Sequence, residues 1–290
     1  MKRILILLTA AAIILGFGGC TTTEYDKAVT ATTAPVYAFA AHLCEGTDIA
    51  VTQLITENIS CLHDYTLQVS QMKAVEKADA VIISGAGLEA FMEDILAGKD
   101  IIDASVGITL DCVQHHDTEH KEHHHEEDPH IWLSPKNAKV MAENICRGLS
   151  QKYPQYIDIF EKNLTALLDD LDELEKYGKE SMSALGCREL LTFHDGFGYF
   201  AQAFDLTILH AIEEEAGREA SAAELIDLCQ LVEAHRLPAI FTERNGSLSA
   251  AYIISRETGA NIYQLDMAMG DNSYFDAMYH NIDAIKEALG

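Results

Sequence analysis

The chain has 290 residues, 48% of them hydrophobic and 23% charged, with a formal net charge of −26. The length exceeds one domain of ~150 residues and allows two lobes. The charge excludes nucleic acid as a partner, since phosphates call for Lys and Arg. It suits a cationic ligand, which a negative field concentrates at the surface.

Lys2 and Arg3 precede the apolar run ILILLTAAAIILGFGG, and Cys20 follows it. A basic start, a short apolar core and small residues before a cleavage point form the layout of a secretory signal. The run falls short of the ~20 residues of a spanning helix. Gly18-Gly19-Cys20 resembles a bacterial lipobox, with Phe17 where an aliphatic residue is usual. Residues 1–19 are therefore expected to be removed and Cys20 to carry lipid. The competing readings are an uncleaved anchor or a free Cys20. Residues 20–34, rich in Thr and Ala, read as a flexible tether. No later stretch is long and apolar enough to cross a bilayer.

Strand and helix patterns then alternate. PVYAFAAHLC reads as a strand-to-helix entry, and the β-branched DIAVTQLI as a strand. SQMKAVEKA is a short amphipathic helix, DAVIISGAG a buried strand running into a glycine turn, and LEAFMEDILAG a helix ended by Gly98. DIIDASVGITL is extended and leads into a His-rich loop. The next helix starts with Ser134 as cap and Pro135 at its first position. These elements make an N-terminal α/β lobe over residues 35–153.

From residue 154 to 185 the apolar positions Phe160, Leu164, Leu167, Leu168, Leu171 and Leu174 keep helical spacing. A helix over that span reads as a rigid connector, with Gly178 as its weak point. Residues 186–290 repeat the alternation: CRELLTF, LTILHAI, AIFTE and NIYQL as strands, with helices between and after them. The expected architecture is two similar α/β lobes with mostly parallel sheets, joined by a long helix, with a ligand in the cleft between them.

Apart from Cys20 there are six cysteines, at 44, 61, 112, 146, 187 and 229. In an exported chain an even number permits disulfides, and buried free thiols are the equal alternative.

His63, His130, His194 and Asp266 share a setting. His194 follows the strand LLTF, Asp266 follows IYQL, His63 comes after DIAVTQLI, and His130 lies in DPHIWLSP. Ligands of open α/β sheets bind outside the carboxyl ends of strands. Three imidazoles and one carboxylate match the donor set of tetrahedral Zn²⁺. Spacing by itself leaves a capping or core role open for each residue.

The motifs LHDY, SGAGLEAF, DPHIWLSP, FHDGFGYF, the FTE strand and the YQLD strand end, in this order, resemble the bacterial zinc ABC-transporter solute-binding lipoproteins of cluster A-I, over residues 35–288. The resemblance implies two lobes joined by a long helix and one metal in the cleft. It implies His63, His130, His194 and Asp266 as ligands. The sequence departs from the family pattern at three places: Leu62 replaces a proline, Gly196 an alanine, and LDMAMG stands where LDPLG is usual. The last departure leaves Asp266, Glu243 or water as the fourth ligand. A third imidazole at His194, where manganese-type relatives carry a carboxylate, favours Zn²⁺. Asp195 and Glu243 are candidates for holding a ligand histidine in its tautomer.

Residues 114–128 hold His115, His116, His120, His123, His124 and His125 among six acids, with no apolar side chain to bury. This segment reads as a loose, auxiliary zinc collector, or else as a merely solvated acidic loop. The sequence thus points to a lipid-anchored, monomeric, extracytoplasmic receptor. It would capture Zn²⁺ and deliver it to an ABC permease with its ATPase subunit, catalysing no reaction. The competing readings are a receptor for manganese or another divalent metal, a zinc-binding adhesin, and a zinc enzyme with an open coordination position.

Overall fold

The computed structural model describes residues 27–57, 62, 65–111, 127–212, 220–244, 246–270 and 273–290. The leader, Cys20, His63 and the six loop histidines lie outside the described residues.

The first lobe runs β1 (Ala28–Ala31), α1 (Ala34–Leu43), β2 (Ala50–Gln53), α2 (Val69–Lys77), β3 (Ala80–Ile83), α3 (Glu93–Leu96), β4 (Ile101–Asp103) and α4 (Pro135–Lys152). The long α5 (Ile157–Met182) follows. The second lobe runs β5 (Glu189–Thr192), α6 (Gly198–Ala203), β6 (Thr207–Ala211), α7 (Ala222–His235), β7 (Ala239–Glu243), α8 (Ser249–Thr258), β8 (Asn261–Leu265) and α9 (Tyr274–Leu289). The two sheets have the orders β2-β1-β3-β4 and β6-β5-β7-β8, and every pairing in them is parallel. The same order occurs twice, with the first strand of each lobe inside its sheet and the second at the edge.

One expectation needs correcting. The stretch read as a tether to residue 34 contains β1, the strand that pairs with both β2 and β3. Its sequence, AVTA, is too short and too small-chained to carry a periodic signal, yet Val29 and Ala31 are fully buried. PVYAFAAHLC is likewise helix throughout its length up to Leu43, with Pro35 in the first turn where its missing N–H costs nothing. The helix expected before Gly98 is a 3₁₀ turn over Ala90–Met92 and one α turn, closed by Gly98 at φ +78°.

Successive side chains on the strands of the second lobe point to opposite faces of the sheet. Leu190 and Phe241 face a core shared with the first lobe, while Leu191 and Ile240 face a separate cluster with Leu228, Val232 and Ile254. The shared core also holds Val29, Ile82, Leu171, Leu174 and Ile285, so it runs from one lobe through α5 into the other. Because the core is continuous, α5 is packed along its length rather than strung between lobes. Gly178 does not weaken it: a Cβ there would fall 2.1 Å from Phe204, so the glycine permits close approach of the second lobe. Four cysteines, Cys44, Cys146, Cys187 and Cys229, are free thiols. Burial pushes the Cys44 thiol up to about 12, which makes it inert. No helix among the described residues is long and apolar enough to cross a membrane.

Candidate metal centre

In both lobes the chain places chemistry at the carboxyl edge of the sheet. The segment after β4 returns at Asp128, whose N–H donates to the Asp111 carbonyl at 2.9 Å. Asp128 then turns the chain: its Oδ1 accepts the His130 N–H at 2.9 Å and lies 2.8 Å from His130 Nδ1. One carboxylate oxygen therefore fixes both the backbone and the ring of His130. Both residues are buried. Immediately after, Ile131, Trp132 and Leu133 form a 3₁₀ turn that is wholly buried. The Trp132 indole donates to the Met267 carbonyl at 2.8 Å, and Tyr274 donates its hydroxyl to the Trp132 carbonyl at 2.8 Å. The greasy neighbours of His130 thus anchor it to the opposite lobe.

His194 stands two residues beyond β5 and is half-buried. Its Nδ1 lies 3.0 Å from Oε1 of Glu243, the last residue of β7 and so at the same sheet edge. Each lobe contributes a carboxylate beside the Nδ1 of its histidine, hydrogen-bonded in the Asp128–His130 pair and at 3.0 Å in the Glu243–His194 pair. Such a pair holds the tautomer and leaves Nε2 to ligate. The two Nε2 atoms face one another at 3.3 Å, with the rings at 86°. Two nitrogens bound tetrahedrally to one zinc at ~2.0–2.1 Å stand about 3.3 Å apart, so the pair is spaced as two ligands of a single ion.

Asp266 follows β8 directly. Asn281 clamps its backbone from both sides, accepting from the Asp266 N–H and donating to its carbonyl, each at 2.7 Å. Its Oδ1 accepts the Ala268 N–H at 2.9 Å, and Oδ2 lies 3.4 Å from the Arg244 guanidinium. Among the described residues no group of three or more His, Cys, Asp or Glu side chains is arranged to hold a metal ion. The structure brings His130 and His194 together, and Asp266 does not join them in such a group.

The departures at Gly196 and in LDMAMG meet in space. A Cβ on Gly196 would fall 2.6 Å from His194 Cδ2 and 2.7 Å from Met267 Cε. The bare glycine makes room for the His194 ring and the Met267 methyl together. Ala268 takes a left-handed backbone, φ +57°, in the same segment.

Sequence reasoning missed three contributors. Asp128 was visible only as part of a motif, although a carboxylate two residues before a histidine is a signal for a ring-holding turn. Arg244 gave no signal. Tyr199 lies on α6 in the second lobe, and its hydroxyl accepts the Asp111 N–H at 2.9 Å and lies 3.2 Å from the Asp128 carbonyl, to which it donates. Burial pushes this phenol up to about 12, so it stays neutral and serves both partners.

Residues 29–288 match the family model described as zinc-uptake complex component A, periplasmic (ZnuA). A relative from Treponema pallidum (strain Nichols), provisionally named as metal-binding, is 28% identical over 257 residues, covering 84% of this chain and 81% of the relative. The zinc-binding lipoprotein AdcA of Streptococcus pneumoniae (strain ATCC BAA-255 / R6) is 27% identical over 311 residues. That match takes in 99% of this chain but only 61% of AdcA. A crystal structure of ZnuA superposes with a TM-score of 0.81 at 29% identity, covering 91% of this chain and 99% of that one.

Proposed function

The chain belongs to the zinc-uptake complex component A family, and we propose that it captures Zn²⁺ outside the cell membrane and hands it to an ABC permease served by an ATPase subunit. Binding and release of the ion are its whole activity. His63, His130 and His194 supply imidazole nitrogens and Asp266 the fourth donor. Asp128 and Glu243 hold two of the rings. A lipid on Cys20 and a monomeric state complete the reading, with residues 114–128 as a loose accessory zinc binder.

The observation that carries this proposal is the 3.3 Å between the His130 and His194 Nε2 atoms, with a carboxylate beside each Nδ1. Two imidazoles so placed can share one cation, and a nitrogen-rich donor set favours zinc over harder ions such as Mn²⁺. The continuous core through α5 suits a receptor that binds with small rearrangement. A titration of residues 20–290 against a zinc chelator tests the proposal. One tight zinc per chain is expected, with His130→Ala and His194→Ala each weakening it by orders of magnitude. Parent-like zinc binding in both variants would overturn the assignment.

A further inference from the structure

Tyr199 is buried on α6 in the second lobe, yet both partners of its hydroxyl belong to the first. The hydroxyl accepts the Asp111 N–H at 2.9 Å and donates to the Asp128 carbonyl at 3.2 Å. Asp128 in turn donates its own N–H to the Asp111 carbonyl at 2.9 Å. Three hydrogen bonds thus close a ring through Tyr199, Asp111 and Asp128. The phenol uses its donor and its acceptor at once, and without it the buried Asp128 carbonyl loses that donor, a costly loss away from water.

A proposed ligand hangs on this ring. Asp128 Oδ1 accepts the His130 N–H and lies 2.8 Å from the ring Nδ1. Asp128 Oδ2 faces the first residue of α6, where a Cβ on Gly198 would stand 3.1 Å from it. The start of α6 therefore confines the Asp128 peptide through Tyr199 and leaves just enough room for the carboxylate at Gly198. His194 lies on the same short segment, four residues before Gly198. One stretch of the second lobe, 194–199, carries one imidazole and steadies the residue that holds the other, whose Nε2 is 3.3 Å away.

We propose that Tyr199 is a positioning residue for the metal: it sets the His130 ring through Asp128, so that the two imidazoles are presented together and withdrawn together. The inference rests on the receptor reading above. Displacing 194–199 takes His194 off the ion and, in the same movement, pulls on the Asp128 peptide that steadies His130. Two ligands then let go in one step, which suits a receptor that must hold zinc tightly and still surrender it. The Trp132 indole does not duplicate this role, because it ties the other flank of His130 to Met267, on a segment that does not carry His194.

Tyr199→Phe tests the proposal, since it removes the hydroxyl and keeps the ring. Tyr153→Phe is its control. That phenol is also buried and donates to Asp79 at 3.1 Å, just before β3 and so at the sheet edge opposite the histidines. Chelator competition gives zinc affinity, stopped flow gives zinc release, and cadmium NMR of the cadmium-loaded protein reports the geometry around the ion. Tyr199→Phe is expected to lower zinc affinity about ten-fold, chiefly through faster release, and to move the cadmium signal. Tyr153→Phe should lower the melting temperature and do neither. In an Asp128→Asn background the Tyr199→Phe loss should shrink to about two-fold or less, because the hydroxyl then has no oriented carboxylate to act through. Should Tyr199→Phe fail to fold, Gly198→Ala decides: it crowds the same carboxylate from the same helix and should also weaken zinc. A parent without a tight zinc, or His130→Ala with the parent's affinity, overturns the receptor site itself. With that site intact, a parent-like affinity and cadmium signal in Tyr199→Phe overturns the positioning role. So does a loss undiminished by Asp128→Asn, or, where Gly198→Ala decides, parent-like affinity in that variant.

Discussion

Gly196 and Met267 occupy one small volume beside His194. A Cβ on Gly196 would stand 2.7 Å from the Met267 methyl and 2.9 Å from His194 Nε2, the atom proposed to bind the metal. Neither distance is tolerable for a real Cβ, so a methyl group here must displace the thioether, the imidazole or both. Two departures from the family's usual pattern, 71 residues apart in the chain, are thus one local packing solution.

Gly196→Ala should therefore weaken zinc binding by roughly ten-fold or more, since displacing a ligand ring removes part of a direct bond. Met267→Ala opens space for the methyl. Adding it to Gly196→Ala should recover part of the affinity, and the non-additivity is the signature of shared volume. Chelator-competition titrations of the two single variants and the double variant check this. Strictly additive losses would show that the two residues act separately.

Asp128 and Glu243 should matter in proportion to their grip on the rings. Asp128→Asn keeps an acceptor for the His130 N–H but can present an amide N–H to the ring, upsetting the tautomer. Glu243→Gln does the same to His194. Each should lower zinc affinity by about 10–100-fold, less than loss of the imidazole itself. Because His130 and Asp128 are both buried, Asp128→Asn should also cost stability, measurable as a lower denaturation midpoint without zinc. Equal zinc affinity in Asp128→Asn and the parent would show that the carboxylate does not orient the ligand.

Arg244 lies 3.4 Å from the Asp266 carboxylate and is about half exposed. A metal ion bound to Asp266, as proposed, would compete with this guanidinium for the same oxygen. Arg244→Gln should therefore tighten zinc binding by several-fold in the parent, and by less in an Asp266→Ala background. An equal gain in both backgrounds would mean that Arg244 acts by general charge repulsion and not through Asp266.

Glu89 offers a pH dependence separate from the metal. It is buried, and it accepts the Thr32 hydroxyl at 2.6 Å and the Ser84 and Gly85 N–H groups at 2.8 and 3.0 Å. Burial nevertheless outweighs these donors and pushes its carboxyl up to about 7. With the folded value raised above the unfolded ~4.5, the folded state holds the extra proton between the two. The stabilisation from the neutral form is complete below ~4.5 and lost as pH rises through 7, up to roughly 3 kcal/mol. Carboxyl ¹³C NMR should show Glu89 titrating near neutrality. A midpoint near the ordinary glutamate value would mean that the three donors win over burial.

The parts of the molecule legible from sequence are those with local codes. AIFTE and NIYQL read as strands because β-branched and aromatic residues declare themselves within five positions. Ser134 and Pro135 declared the start of α4, and the side chain of Ser134 does accept the Asn137 N–H. What failed to show was set by distant partners. The strand AVTA gains its place from β2 and β3, not from its own pattern. Gly178 resembled a helix-weakening residue because Phe204, the reason for it, lies 26 residues away. The histidines were visible as motifs, yet nothing local told that the indole of Trp132 reaches Met267, 135 residues on, and so ties His130 to the second lobe.

The same long-range ties decide what the His-rich segment should and should not do. Its two ends are fastened outside it: the Asp128 N–H donates to the Asp111 carbonyl, and the Tyr199 hydroxyl engages both residues from the second lobe. His130 is further held by Asp128 and by the buried Trp132 turn, none of which lies between 112 and 126. Deleting residues 115–125 should therefore leave the tight zinc in place, with affinity within a few-fold of the parent's. It should remove the weaker, additional zinc proposed for the six loop histidines. Acid should separate the two classes further, because imidazoles must be unprotonated to ligate and the acids interspersed in this segment favour its protonated form. Native mass spectrometry and calorimetric titrations between pH 5 and 8, with and without the segment, read both quantities. Loss of the tight ion on deletion, or its release at a higher pH than the loop's zinc, would show that the segment belongs to the primary site and that the fastened ends do not insulate His130 from it.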